Sequence, residues 1–80
     1  MPTIARIGPY RFFFYSDEGR EPSHVHVERD ACTAKFWLEP IALSSSYGFG
    51  AREIRRLHAI IAERHNEFRN AWNEFFRTRS

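Results

Sequence analysis

The chain holds one cysteine, one lysine and one methionine in 80 residues. A lone Cys32 excludes an intrachain disulfide, and with it the stapled scaffolds on which many short secreted domains rely. A reducing cytoplasm is therefore the expected compartment. Glycine and proline number four each, too few for a low-complexity or collagen-like chain. No stretch approaches 18 uninterrupted apolar residues, so no membrane-spanning helix is expected. The opening MPTIARIGPYRFFF has neither the apolar core nor the small-residue cleavage site of a secretory leader. An excess of charge is missing too. At a net +2 this is no polycation, and any role with nucleic acid has to come from where the charge sits.

Large rings are what the chain has in quantity. Eighty residues make one domain, spanning 1–80, and a domain of that size buries only about 60–65% of its unfolded surface. With 16% aromatic residues, rings supply most of that thin core. The charge is uneven: residues 1–50 sum to −1 and residues 51–80 to +3, through seven arginines against four glutamates. Two readings compete for the basic third, an arginine fork for phosphate or an ordinary solvated helix face.

The first half reads as strands and turns. Thr3–Ile7 is a short apolar stretch closed by Gly8-Pro9. Tyr10–Ser16 is ring-rich and too short for a helix, hence a strand. Residues 17–22 form a polar loop. His24–Arg29 alternates strictly, as a half-buried strand does. Asp30-Ala31-Cys32 is a turn, Thr33–Leu38 a third strand, and Pro40 leaves room only for a short edge segment at Ile41–Leu43. Residues 44–50 read as a loop. From Ala51 the period becomes 3.6, with Ile54, Leu57, Ile61, Phe68, Trp72 and Phe75 on one stripe. The expected class is α+β: a three- to four-stranded antiparallel meander (strands about 3–43) packed on one long C-terminal helix at 51–77. Straight, that helix is about 40 Å long. Either it bends near residues 64–66 or its end projects, offering Trp72, Phe75 and Phe76 to a partner.

Alternation then sorts the side chains. With Val25 and Val27 facing the helix, Arg11, Tyr15, His24, His26, Lys35 and Trp37 collect on the other face. That set has cations for phosphate and rings for bases. His24 and His26 stand about 6.5–7 Å apart along the strand, and an imidazole pair can serve as acid and base near neutral pH. Such a pair is enough for metal-independent RNA cleavage, because the 2′-hydroxyl is the nucleophile. In this reading Lys35 and Arg11 hold the phosphate, and Trp37 or Tyr15 stacks under a base. The plainer reading is the ordinary solvent side of a sheet. A metal pair needs further ligands, for which Glu28 is the local candidate; no metal or other cofactor is expected. His58 and His65 flank the helical stripe, as core-edge histidines do.

MPTI at 1–4, RFFFYS at 11–16, EPSHVHVE at 21–28, AKFWLEP at 34–40, Gly48-Phe49, REIRRL at 52–57 and AWNEFF at 71–76 together make a pattern. The chain resembles the small bacterial proteins grouped as domain of unknown function 4160, over almost its whole length and in the family's order. Ser23 stands where a second proline is common, and Gly50 where a capping serine is. The resemblance implies a two-gene unit with a small protein of domain of unknown function 2442, read as a toxin–antitoxin-like pair. The expectation is thus a toxin component acting on RNA as a ribonuclease. The other expectation is a non-enzymatic protein-binding module that joins a small antitoxin-like partner or a second copy of itself. The family supplies no catalytic assignment; within its motifs only His24, His26, Lys35 and Trp37 stand as site residues.

Overall fold

A computed structural model describes residues 3–77. Five strands and two helices follow one another: β1 (Thr3–Ile7), β2 (Tyr10–Phe13), β3 (His24–Arg29), β4 (Cys32–Leu38), β5 (Ile41–Tyr47), α1 (Ala51–Glu63) and α2 (His65–Arg77). The strands form one antiparallel sheet in the order β1-β2-β3-β4-β5, so each pairs with its neighbour in sequence. The fold is α+β, as the sequence implies, but with five strands rather than three or four.

Three of the four strand connections are two-residue hairpins, at Gly8-Pro9, Asp30-Ala31 and Glu39-Pro40. Gly8 and Asp30 take positive φ (58° and 55°), the backbone that tight hairpins demand and that Gly and Asp tolerate best. Pro40 sits in a turn and removes no ladder hydrogen bond. β5 therefore runs on to Tyr47 instead of stopping at Leu43, and Ser44–Ser46 are strand rather than loop. Pairing with β4 overrides the weak strand preference of serine. The fourth connection, residues 14–23, is long: β2 ends at Phe13 rather than Ser16.

The inner face follows the alternation. Phe12, Val25, Val27, Phe36 and Leu38 are fully buried against Leu57 and Ile61 of α1 and Phe68 of α2. One long helix is not what forms. Arg64 leaves the helical conformation (φ −108°, ψ 24°), its N–H donates to Ile60 O at 3.1 Å, and α2 starts at the next residue. A straight helix of about 40 Å exceeds the molecule's longest dimension, 37 Å. The break keeps Phe68 and Trp72 on the sheet. The aromatic end of the stripe accordingly does not project: Trp72, Phe75 and Phe76 close around Phe14, with ring centroids 5.2–5.4 Å from it.

A polar clamp ties the opposite end of the sheet to α1. Arg29 gives Nε–H and Nη2–H to the two oxygens of Glu53 at 2.7 and 2.8 Å, and Tyr10 donates its hydroxyl to Glu53 at 2.7 Å. The Arg29 hydrogen bonds, with that of Tyr10, hold the Glu53 carboxyl below the ordinary carboxylate range.

Two outcomes are expected. Phe14→Ala should remove about 3–5 kcal/mol, the usual loss for a buried phenylalanine, as read from denaturant unfolding. Glu53 has a lowered folded pKa, so its stabilisation is present above the unfolded value and fades as pH falls through the folded one. The unfolding midpoints of wild type and Glu53→Gln should differ at pH 7 and draw together in acid below the ordinary carboxylate range.

Candidate functional site

The outer face gathers the side chains that alternation assigns to it. The cross-strand pairs are Arg11 with Glu28, His26 with Lys35, and His24 with Trp37. What organises them comes from the long connection. Residues 14–23 turn twice, through Glu18 N–H to Tyr15 O (3.2 Å) and Glu21 N–H to Glu18 O (3.1 Å), and reach β4 through Leu38 N–H to Ser23 O (3.0 Å). Gly19 lies flat on Phe76, where a Cβ would come within 2.6 Å of the ring. This path lays the Glu18 carboxylate across the start of β3.

His24 is completely buried. Its Nδ1 lies 3.0 Å from Pro22 O and its Nε2 2.8 Å from Glu18 Oε1. A carbonyl and a carboxylate only accept, so both contacts run from the ring to the oxygens. His26 donates Nε2–H to the same carboxylate, at 2.9 and 3.1 Å. Burial pushes the Glu18 carboxyl up, but hydrogen bonds from His24, the Tyr15 N–H and His26 outweigh it and leave Glu18 ionised below its ordinary range. Burial lowers the pKa of His26, which Glu18 only partly opposes, so His26 is the neutral member.

Rings enclose the pair. His26 stacks on Phe13 (5.4 Å, 21°) with the edge of Tyr15 at 4.8 Å, and His24 meets Trp37 at 5.7 Å and Trp72 at 4.7 Å. Trp72 thus closes the site from within its own chain. The cations of the face are engaged. Arg11 holds Glu28 at 2.6 Å and lies over Phe13; Lys35 holds Glu21 at 2.7 Å and lies over Trp37. An acid–base pair acting on a bound phosphodiester needs both imidazoles in reach of it, and solvent reaches only His26. Beside His26 a shallow depression of about 270 Å³ is lined by Lys35, Ser45, Ser46 and Tyr47.

Glu18 is the residue that sequence periodicity passes over. It belongs to no strand, and its only hint is an acidic side chain on a turn-rich segment just ahead of two histidines. Glu28, the metal-ligand candidate that the strand itself offers, faces Arg11 instead. One ligand atom from each of Glu18, His24 and His26 lies within 4.8 Å of the others, close enough for two histidines and one carboxylate to share an ion. His65 is a core-edge histidine bonded to Leu38 O, and His58 is exposed.

His24→Ala should cost about 2–5 kcal/mol, because it empties a fully buried ring site and takes from Glu18 one of its hydrogen-bond donors. That is a large share of the stability of a domain this small. His58→Ala should stay within about 0.5 kcal/mol. Chemical denaturation of the two variants side by side checks the contrast.

No curated protein and no solved structure matches the chain. A family does match, over residues 10–73, which takes in the strands of the histidine face, the connection carrying Glu18 and Trp72 of α2. The chain belongs to the family described as Domain of unknown function (DUF4160).

Proposed function

We propose that the protein is a non-enzymatic binding module whose partner is a small protein that adds a strand to β5. The observation that carries this reading is the edge itself. Its seven residues, IALSSSY, include no charge and no proline, the devices that usually blunt an exposed edge. Leu43 and Tyr47 are 43% and 73% exposed. A bulge at Ser44 is the single irregularity, and it re-aims the strand without adding charge. Unpaired backbone donors and acceptors give such an edge its affinity, and pockets for alternate side chains give it selectivity. The depression between His26 and Tyr47 lies beside this edge and suits one partner side chain. At the opposite edge, β1 carries Arg6 and runs into Gly8-Pro9, a poorer template.

The family resemblance supports the same reading, since it implies a small companion protein of the domain of unknown function 2442 kind. The ribonuclease reading has less support: His24 is sealed, and Arg11 and Lys35 each already hold a glutamate.

Co-expression with such a companion, followed by size exclusion with light scattering, tests the proposal. Wild type should form a stable complex, and Leu43→Lys with Tyr47→Lys should abolish it while leaving far-UV circular dichroism unchanged. A wild type that ignores the companion sinks the proposal. So does growth arrest by wild type that His26→Ala relieves and the edge variant does not, which would favour RNA chemistry.

A further inference from the structure

We infer that Glu18, His24 and His26 bind one divalent transition-metal ion, with zinc the best match in chemistry. This site shares His26 with the depression beside β5 but needs no partner on that edge.

Three observations converge. The first is distance. The histidine Nε2 atoms lie 2.8 and 2.9 Å from Glu18 Oε1. Tetrahedral zinc with bonds of about 2.0–2.1 Å sets its ligand atoms about 3.3 Å apart, so each nitrogen–oxygen pair opens by roughly 0.5 Å, and all three atoms already lie within 4.8 Å of one another. The second is orientation. His24 Nδ1 is committed to Pro22 O at 3.0 Å, which fixes the ring and turns Nε2 to the cluster. Ligating histidines are held in this way, by a carbonyl on the other nitrogen. The third is surroundings. Phe13, Tyr15, Trp37 and Trp72 wall the cluster, while Lys35, the nearest side-chain ammonium, is drawn off to Glu21 and Trp37. Without an ion, two imidazole N–H groups and the Tyr15 N–H converge on one carboxylate oxygen. The ion takes the place of the two Nε2 protons: each imidazole then ligates through Nε2 as the neutral Nδ1–H tautomer, and a proton in excess of that leaves to solvent.

The donor set names the class of ion. Two imidazoles and one carboxylate suit zinc and its first-row neighbours, whereas magnesium and calcium prefer oxygen alone. Among the described residues the cluster offers three ligands, so water completes the coordination. The ion fastens the connection 14–23 to the start of β3.

The untagged full chain, stripped with a chelator, is titrated with zinc chloride by calorimetry and with cobalt(II) chloride by visible absorption. One equivalent should bind, cobalt should give the intense d–d bands of a four-coordinate site, and the thermal midpoint should rise with zinc concentration. His26→Gln, at a partly exposed position, should fold, weaken binding at least about tenfold and lose the cobalt bands. Glu18→Gln should do the same; His58→Gln and magnesium chloride in place of zinc serve as controls. Binding below one equivalent, binding that survives His26→Gln, or equal weakening by His58→Gln overturns the inference. Companion binding by the edge is read separately, so failure here leaves that proposal standing.

Discussion

One carboxylate holds the outer half of this molecule together. Glu18 accepts from a fully buried histidine and from its neighbour two residues on, and in doing so draws the ten-residue connection 14–23 onto the sheet. Beside that anchor the segment is held by two turn hydrogen bonds, one backbone bond to β4, the Lys35–Glu21 ion pair, the bond between His24 and Pro22 O, and the contact of Gly19 with Phe76. The aromatic shell depends on it in turn. Phe14 leaves β2 and enters the cluster of Trp72, Phe75 and Phe76, and Trp72 closes over His24. A shared carboxylate and a ring cluster thus hold the same segment from two sides. In a domain with so little surface to bury, a hydrogen-bond network sealed by rings is a dense way to add order.

The two ends of the sheet use different chemistry. At one end the Tyr10–Arg29–Glu53 clamp joins two strands to α1, with a bidentate arginine and a hydroxyl on one carboxylate. At the other, histidine and carboxylate do the joining under a roof of rings. The clamp's groups stay close to water, whereas His24 has none. That asymmetry concentrates the chemically versatile groups in one place and leaves the clamp to structure.

Much of this was legible in the residues. The alternation of HVHVER and TAKFWL put Val25, Val27, Ala34, Phe36 and Leu38 on one side and His26, Lys35 and Trp37 on the other, because one buried face fixes the phase of a strand. The change of period at Ala51 marked the helices. What was not legible depends on contacts between segments distant in sequence. Ser44–Ser46 are strand because β4 offers them partners, not because serine favours a strand. The break at Arg64 was legible as one of two ways to fit a helix longer than its sheet; that the chain bends rather than projects was not, since the run holds no glycine or proline. Trp72, Phe75 and Phe76 gather around Phe14, which lies outside any strand, and no pattern in the sequence announces that contact. Glu18 has no periodicity to betray it.

The strictly sequential strand order has a kinetic consequence. Every strand pairs with the one before it, and three of the four links close over two residues, so the sheet assembles from contacts between near neighbours. Loop closure that must be completed before contacts reward it is confined to the β2–β3 link and to the return of the helices. A chain with this topology has short average contact separation for a protein so rich in strands. The contacts that close the longest stretches of chain are those where the long connection, the histidines and the last turns of α2 meet, so there the entropy of loop closure weighs most.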